Sequence, residues 1–457
     1  MNVVLISMYE LGRQPFGLAS PAAWLRRAGF RVACLDLSRE APDEKAVEDA
    51  DFIALYLPMH TATRLAVEAL PRMRQLNPTA HLCFYGLYAP VNEDYLRKLG
   101  AETILGGEFE EALLNAVERA RQGQPTQVDP AVSLARLKFA VPDRRGLPAL
   151  GRYARLEHPD GASRVVGYTE ASRGCKHLCR HCPVVPVYQG RFRIVPPEIV
   201  LEDVRQQVAA GAEHITFGDP DFFNGIRHAL RIVTALHQEF PNLTYDATIK
   251  VEHLLKHSID LPALRETGCL FVTTAVESVD DRILALLGKG HTYRDFVQVL
   301  HLFRQTGLAL APTFVAFTPW IGPEGYCELL DAIGRHDLVE SVAPVQLGLR
   351  LLIPAGSRLL ELEQVRKTIG PFDEAGLVYP WKHSDSRVEA LYARVQQIIR
   401  QGLNQKATRE GIFQRVSSAA HEAAGLPLPG RLIKDGGVAI PHVTEPWYCC
   451  AEPLGES

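Results

Sequence analysis

Three cysteines in one short segment combine residue type and spacing in a way that can support chemistry. Cys175, Cys179 and Cys182 stand in the run Cys-Lys-His-Leu-Cys-Arg-His-Cys, a C-x3-C-x2-C spacing. Three thiolates this close can bind three irons of one [4Fe–4S] cluster, which leaves the fourth iron open to a small molecule. The alternative is a zinc site completed by His177 or His181, although structural zinc pairs usually have C-x2-C spacing.

This spacing resembles the signature of radical S-adenosylmethionine (SAM) enzymes. In that class the open iron binds SAM through its amine and carboxylate, so the resemblance implies two cofactors, a [4Fe–4S] cluster and SAM. It also implies an electron donor of the flavodoxin or ferredoxin type. The cysteine segment follows an apolar run at 165–168. The cluster loop is therefore predicted at the carboxyl end of a strand, where barrel enzymes carry their chemistry.

Composition and charge limit the classes of partner that we expect this protein to bind. The chain has 457 residues, 47% of them hydrophobic and 22% charged, which is typical of a soluble globular protein with two or three domains. Its net charge of −4 predicts no nucleic-acid partner. No apolar stretch approaches the ~20 residues of a membrane helix, and Met1 leads directly into a strand-like run, so we expect no membrane partner and no leader. Nine cysteines, three of them clustered, predict a reducing cytoplasm.

The order of elements predicts an α/β protein with two main domains. Residues 1–124 alternate short apolar runs with amphipathic helices, which indicates a Rossmann-like, cobalamin-binding-like domain. Residues 125–160 are proline-rich and irregular, and are predicted to be a linker. Residues 161–370 alternate strands and helices again, as in a partial (β/α)6 barrel of the radical SAM type. Residues 371–457 are predicted to form a small helical region with a flexible tail. The predicted barrel strands are 165–168, 214–217, 244–249, 269–275, 310–316 and 345–351.

Acidic and basic residues follow the second and third predicted barrel strands. Gly218, Asp219 and Asp221 come directly after the second strand, at the place where radical SAM enzymes orient the amino group of SAM. Carboxylates and carbonyls suit an ammonium group there. The alternative is a plain Gly-Pro turn. Lys250 follows the third strand and is a further candidate for binding SAM.

Later strand ends supply three more candidates. Glu277 and Ser278 follow the fourth strand, where Glu277 suits the ribose or amine of SAM and Ser278 can instead be a helix N-cap. A Glu-Ser pair followed by Lys-Gly-x-Thr at 289–292 resembles radical SAM proteins that carry an N-terminal cobalamin-binding-like domain. Arg350, in the sixth strand, is predicted either to bind the SAM carboxylate or to form a surface ion pair.

The N-terminal domain leaves cobalamin binding open. The familiar Asp-x-His-x-x-Gly signature is absent after the first strand, and His60 is the nearest candidate histidine. Some relatives bind cobalamin without that histidine, and a fold does not imply a function. A methylthiotransferase domain would need three further cluster cysteines here, whereas this domain has only Cys34 and Cys83, which look like core residues.

Two adjacent cysteines near the C-terminus are the second chemical signal. Cys449 and Cys450 begin the run Cys-Cys-Ala-Glu-Pro. Vicinal thiols bind soft metal or metalloid ions or act as a redox pair, and the alternative is two incidental exposed thiols. The chain resembles radical SAM proteins named for this tail, some of which carry selenocysteine at its first position. It also resembles radical SAM enzymes of arsenic natural-product pathways.

That second resemblance implies a specific transferase. Such enzymes are thought to move the 3-amino-3-carboxypropyl group of SAM to trivalent arsenic, giving hydroxyarsinothricin. Arsenite is then the expected substrate, with Cys449 and Cys450 as the catalytic pair that holds it. The rival enzymatic reactions are 5′-deoxyadenosyl-radical chemistry and cobalamin-dependent methylation of a small molecule or peptide. A metalloid-binding sensor without catalysis is the non-enzymatic alternative.

Overall fold

The computed structural model describes residues 1–124, 131–428 and 439–445, and the backbone of 451–452. The N-terminal domain contains six strands and five helices. Its strands are β1 (Asn2–Ser7), β2 (Arg31–Asp36), β3 (Phe52–Tyr56), β4 (His81–Tyr85), β5 (Thr103–Gly107) and β6 (Val132–Ser133). Its helices are α1 (Phe16–Arg27), α2 (Glu44–Glu48), α3 (His60–Leu76), α4 (Glu93–Lys98) and α5 (Glu110–Arg121).

These strands form one parallel sheet in the order β2-β1-β3-β4-β5-β6. Strand β1 shows why both faces of the sheet are covered. Val4 and Ile6 belong to one buried apolar cluster, and Val3 and Leu5 belong to another. Because side chains alternate along a strand, an apolar run of this kind needs helices on both faces. The strand order is that of a doubly wound fold, which confirms the Rossmann-like prediction.

The second part of the chain contains one main sheet and two small two-stranded sheets. Its strands are β7 (Arg155–Glu157), β8 (Ser163–Thr169), β9 (Ser172–Gly174), β10 (Phe192–Ile194), β11 (His214–Phe217), β12 (Thr244–Thr248), β13 (Cys269–Glu277), β14 (Ala309–Phe314), β15 (Arg350–Leu351), β16 (His442–Val443) and β17 (Ala451–Glu452). Its helices are α6 (Val184–Tyr188), α7 (Pro197–Ala209), α8 (Ile226–Glu239), α9 (Val251–Lys256), α10 (Leu261–Glu266), α11 (Asp281–Leu287), α12 (Tyr293–Thr306), α13 (Pro323–Arg335), α14 (Glu363–Arg366), α15 (Ser386–Asn404) and α16 (Arg409–Ala424).

The main sheet runs β14-β13-β12-β11-β8-β7-β16 and forms an open half-barrel. Strands β8 and β11 to β14 are parallel, whereas β7 and β16 are antiparallel additions at one edge. The parallel strands bring their carboxyl ends to one rim, where the predicted cluster loop and SAM residues follow them. The predicted α/β class, with a partial barrel after a Rossmann-like domain, is therefore confirmed.

Two local predictions differ from the structure. The sixth predicted barrel strand, 345–351, is reduced to β15, because Pro344 opens a 3-10 turn that continues to Gly348. The predicted linker also contributes structure. Strand β6 extends the N-terminal sheet and β7 pairs with β8, so the chain between the two domains is anchored to both.

The C-terminal region, which is predicted to be helical, contains the long helices α15 and α16. In α15, Val388, Leu391 and Val395 are buried in the core of the second domain, as expected from their spacing. No helix among the described residues has the length and apolar character needed to cross a membrane.

Candidate active site

The three clustered cysteines line one cavity at the carboxyl rim of the half-barrel. The cavity has a volume of about 200 Å³. Cys179 is buried and Cys175 and Cys182 are half-buried. The one group of potential ligands found within 4.8 Å of one another in the described residues is Cys175, His177 and Asp221. The three thiols do not form such a group among the described residues, and this wider spacing favours a cluster over a single zinc ion with ~2.3 Å bonds.

The cavity environment controls the ionisation of these thiols. Burial, and then the carboxylate of Asp221, raise the pKa of Cys175 to about 12. Burial also raises the pKa of Cys179, but the charges of Lys289 and Lys250 oppose that increase. Iron binds the deprotonated thiolate form of cysteine, so bound iron would displace the thiol protons of Cys175 and Cys179. The positive charges of the two lysines also favour the thiolate form of Cys179.

The cluster loop is fixed to the barrel by backbone contacts. Gly174, at its start, has φ +71°, and a side chain there would meet Tyr188 and the backbone of Arg191. Further along, the backbone N–H of Arg180 donates to the carbonyl of Leu287 at 2.8 Å. Only glycine adopts the first conformation without strain, so the turn that aims Cys175 depends on it.

The residues after β11 are held in two different ways. Asp219 accepts hydrogen bonds from the backbone of Ala171 at 2.9 Å and the hydroxyl of Ser172 at 2.5 Å, and burial raises its pKa to about 7. It therefore ties β11 to the segment that leads to the cysteines. Gly218 packs against Tyr168 so closely that a Cβ would lie 1.8 Å from the phenolic oxygen.

Asp221 is the centre of a histidine network on the same rim. The imidazoles of His253 and His177 lie 2.6 and 3.3 Å from its Oδ2 atom. Burial alone would raise the pKa of Asp221, but these contacts outweigh it and lower the pKa to about 2. On the other side of His177, Lys250 Nζ lies 3.2 Å from Nδ1 and 3.2 Å from the carboxylate of Glu252.

Glu277 is held on the opposite side of the cavity. It has the left-handed φ of 71°, which is uncommon for a residue other than glycine. Its carboxylate contacts His181 at 3.0 Å and Lys289 at 3.3 Å. Burial would raise its pKa, but Lys289 and His181 lower it to about 2. The strained backbone turns an ionised carboxylate towards the cluster loop.

Ser278 and Arg350 lie elsewhere than at this cavity. The Ser278 hydroxyl accepts the backbone N–H of Asp280 at 3.1 Å, and Ser278 is not among the cavity's lining residues. The capping alternative is wrong for Ser278, because Asp280 is the N-cap of α11. Arg350 pairs with Glu389 at 2.9 Å, and its guanidinium lies 3.7 Å from the ring centre of Trp381. The reason is local, since β15 turns this side chain towards α15 rather than into the cavity.

The N-terminal domain forms the roof of the cavity. Met59 and Tyr88, which follow β3 and β4, line it together with Arg13 from the loop after β1. Arg13 also borders the two neighbouring cavities, and its guanidinium lies 4.8 Å from the ring centre of Tyr168. Sequence reasoning missed Arg13, because only the docking of the two domains brings its loop to the barrel. His181, by contrast, was visible inside the cysteine motif.

A buried charged cluster joins the two domains beside this roof. Arg173 contacts Glu110 at 2.7 Å, Glu170 at 2.9 Å and Glu108 at 3.4 Å. One cation thus faces three carboxylates. Burial raises the pKa of Glu108 to about 7, although Arg173 opposes the increase. Burial also raises the pKa of nearby Glu10 well above its usual range.

The space between the domains is small for a corrin ring. It is divided into the cluster cavity and a second cavity, each of about 200 Å³. Pockets for drug-sized ligands have roughly 300–1,000 Å³, and cobalamin is larger than such ligands. His60, the nearest candidate axial ligand, contacts the carbonyl of Gly376 at 2.7 Å. The two cavities share Arg13 and Met59 in their linings, so a corrin ring would fit here only if they were joined into one space.

Comparison with known proteins identifies the class of domain. Residues 169–333 match the model of the Radical SAM superfamily. A tRNA-2-methylthio-N(6)-dimethylallyladenosine synthase from Desulfosudis oleivorans is 27% identical over 277 residues, which cover 56% of this chain and 56% of the relative. The chain thus spans about half the length of the curated relatives it matches. In the N-terminal domain of this chain, Cys34 and Cys83 are both buried, as is expected of core residues.

Two solved structures share the fold. The cobalamin-dependent SAM radical enzyme OxsB, with aqua-cobalamin and SAM bound, has a TM-score of 0.70 and 15% identity, over 92% of this chain and 71% of that one. The radical SAM methyltransferase TsrM from Kitasatospora setae, with cobalamin and a [4Fe–4S] cluster, has a TM-score of 0.62 and 15% identity, over 92% and 99%. The chain is an enzyme with a radical SAM domain, whose cofactors are a [4Fe–4S] cluster and SAM.

Proposed function

We propose that this enzyme reductively cleaves SAM at a [4Fe–4S] cluster bound by Cys175, Cys179 and Cys182. The observation that carries the proposal is the single cavity that these thiols share with acidic and basic side chains. When bound, the cluster supplies the electron that breaks a C–S bond of the SAM sulfonium. A flavodoxin- or ferredoxin-type protein in a reducing cytoplasm would deliver that electron.

The charges around the cavity match the ends of the amino-acid part of SAM. Lys250 and Lys289 suit its carboxylate, because charge-assisted hydrogen bonds are the strong ones. Gly218 and Asp221, at the end of β11, remain our candidates for contacts with the ammonium group. Glu277 faces the same cavity and is our candidate for the ribose or the amine.

The preferred reaction is transfer of the 3-amino-3-carboxypropyl group to As(III) held by Cys449 and Cys450. Breaking the bond between the sulfonium sulfur and Cγ of that group releases 5′-methylthioadenosine, whose sulfur keeps the bonding electron pair. The arsenic lone pair supplies the new As–C bond, so As(III) becomes As(V). The electron that starts the cleavage is returned, and the transfer needs no net oxidant or reductant. Trivalent arsenic is soft and thiophilic, so a vicinal dithiol is a suitable clamp. Both cysteines lie outside the described residues.

The strand that follows these cysteines supports a role near the cluster. Ala451, the next residue after Cys450, pairs with Leu351 in the antiparallel β15–β17 ladder. The chain after β15 reaches the cluster loop, where the Ser357 hydroxyl lies 3.4 Å from the carbonyl of Arg180. The pairing of Ala451 with the strand that leads to this loop is the observation that supports our proposal for the tail.

Product analysis tests the proposal. Reconstituted, reduced enzyme is incubated with SAM, with and without arsenite, and the products are identified by mass spectrometry. We expect 5′-methylthioadenosine and an arsenic-bearing amino acid only when arsenite is present. The variant with Cys449→Ala and Cys450→Ala should keep its iron but lose arsenite binding. A Cys34→Ala and Cys83→Ala variant, which removes two buried thiols of the N-terminal domain, is the matched control.

Other products would select a rival reaction. Formation of 5′-deoxyadenosine regardless of arsenite would contradict the transfer and leave conventional radical chemistry on another substrate. Stoichiometric cobalamin in the purified protein would favour methylation, the reaction named for the TsrM neighbour. Arsenite binding with no SAM product at all would leave a metalloid sensor.

A further inference from the structure

A second and larger cavity lies deeper in the half-barrel than the cluster cavity. Its volume is about 380 Å³. Thr216, Asp246 and Thr273 line it from β11, β12 and β13, each one or two residues before the positions on the same strands that line the cluster cavity. Helix α16 and residues 440–445 close its open side. We call this cavity the lumen chamber.

The lining of the lumen chamber is unusual for a barrel interior. Barrel interiors are normally filled by branched apolar side chains, whereas here threonines, the carboxylates of Asp246 and Glu445 and a glutamine face the space beside apolar residues. Thr313 is 8% exposed, and its hydroxyl has no hydrogen-bond partner among the described residues. Because buried polar groups are nearly always paired, this hydroxyl indicates a ligand or an ordered water in the chamber.

Asp246 is an acidic group of the chamber whose carboxylate is held in place through only one of its two oxygens. Asp246 Oδ1 accepts hydrogen bonds from the Thr216 hydroxyl at 2.6 Å and from His214 Nε2 at 3.0 Å. Its Oδ2 takes part in none of the hydrogen bonds found among the described residues. The ring of His214 is oriented in turn by Thr244, at 2.8 Å from Nδ1. An oriented carboxylate with an open oxygen suits an ammonium group.

Basic groups face the same chamber. Arg409 begins α16, where a positive charge is unfavourable next to the helix dipole. Its Nη1 donates to the carbonyl of Glu340, and the other guanidinium N–H groups are available to the chamber that the residue lines. Arg13 lines the chamber from the N-terminal domain as well as the cluster cavity. These groups suit a carboxylate.

We infer that the lumen chamber is a second small-molecule site that binds an amino-acid zwitterion, with its ammonium on Asp246 and its carboxylate on Arg409. A transferred 3-amino-3-carboxypropyl group carries this same pair of charges. The chamber would then receive the product after the C–S bond breaks, an assignment that rests on the proposed function. Binding of the zwitterion itself does not depend on that reaction.

Three probes with one carbon skeleton test the charge requirement. L-2-aminobutyrate, butyrate and n-butylamine are titrated calorimetrically into the full-length, reconstituted protein. Saturating S-adenosylhomocysteine is present to occupy the cluster cavity. We expect aminobutyrate to bind about 10- to 100-fold more tightly than either singly charged probe, because each loses one charged hydrogen bond. Equal affinity for all three probes, or no binding of any, would overturn the inference.

Variants assign the two charges. Asp246→Asn should weaken aminobutyrate about 10- to 100-fold without changing butyrate, and Arg409→Gln should weaken both carboxylates. Arg415→Gln, on the same helix but outside the chamber lining, is the control for Arg409. Unchanged aminobutyrate affinity in both chamber variants, with the wild-type melting temperature, would contradict the assignment.

A more conservative substitution tests the same site while it leaves the shape of the side chain almost unchanged. Thr313→Val should weaken aminobutyrate about 3- to 10-fold by removing one neutral hydrogen bond. Thr274→Val is its matched control, because that buried hydroxyl also lacks a partner among the described residues but does not line the chamber. Equal affinities in these two variants would count against the site. Aminobutyrate binding without any 5′-methylthioadenosine formation would keep the site and reject only its assignment to the product.

Discussion

Two parallel sheets turn their carboxyl ends towards the same space but supply different side chains to it. The barrel rim carries the three cysteines with Asp221, Lys250 and other charged groups. The N-terminal sheet contributes mainly apolar residues such as Met59 and Leu87 at the same cavity. Carboxyl ends of parallel strands are where ligands bind in both architectures. In the proposed site, the barrel sheet would therefore hold the cofactors and the N-terminal sheet would exclude water from them.

The two sides also differ in how they neutralise buried carboxylates. On the barrel side, Glu277 has Lys289 and His181 as partners and its pKa is low. On the interdomain side, Arg173 alone serves three carboxylates and the pKa of Glu108 is high. Glu277 on the barrel side is thus ionised and paired at neutral pH, whereas Glu108 on the interdomain side still retains part of its proton.

The largest expected effect comes from removing the cluster ligands. Cys175→Ala, Cys179→Ala or Cys182→Ala should abolish the iron content of about four per chain and reduce SAM cleavage to background, a loss of at least about 10⁶-fold. Iron analysis, the visible absorbance and product formation measure this. Cys83→Ala, in the N-terminal core, should retain full iron content, and any alanine variant of the trio that remained fully active would contradict the assignment.

Opposite pH responses should separate the two carboxylate clusters. The low pKa of Glu277, about 2, means that its contribution to folding stability is present at neutral pH and is lost as the pH falls from its unfolded value of about 4.5 towards 2. The high pKa of Glu108, about 7, means that stability falls as the pH rises from about 4.5 to 7. Each contribution reaches about 3 kcal/mol.

Glutamine variants measure this difference in urea unfolding of the full chain between pH 3 and 8. Glu277→Gln should lower stability at pH 7 by about 3 kcal/mol, because Lys289 loses its buried partner. Glu108→Gln should leave stability at pH 8 unchanged or higher, since glutamine resembles the protonated carboxyl. A loss at pH 8 in Glu108→Gln as large as that in Glu277→Gln would remove the distinction.

The smallest expected effect is that of Arg350 on SAM. Arg350→Gln breaks the pair with Glu389 and should lower the melting temperature by a few degrees, about 1 kcal/mol, while SAM affinity stays within about twofold. Lys250→Gln is the comparison at the cavity itself and should weaken SAM about tenfold. Calorimetric SAM titration decides the matter, and a strong loss of affinity in Arg350→Gln would restore its predicted role as a SAM ligand.

Local sequence signals were sufficient to predict the fold class and the principal candidate site residues. Apolar runs of four to six residues, such as those of β1 and β4, predicted strands buried on both faces. The positions of Asp219 and Glu277 after strand ends were sufficient to predict that both lie on one rim. Pro344 shows where such reasoning failed, because the 3-10 turn that it opens shortened the predicted sixth strand to two residues.

The sequence by itself determined the cysteine spacing, the alternation of strands and helices and the choice of residues at strand ends, because these depend on neighbours in the chain. Only the tertiary structure decided that Arg13 reaches the barrel, that Arg350 turns to Glu389 and that Asp246 and Thr313 line the lumen chamber. Those outcomes depend on how two sheets dock and which way each side chain points. They are contacts between residues far apart in sequence, which no local pattern encodes.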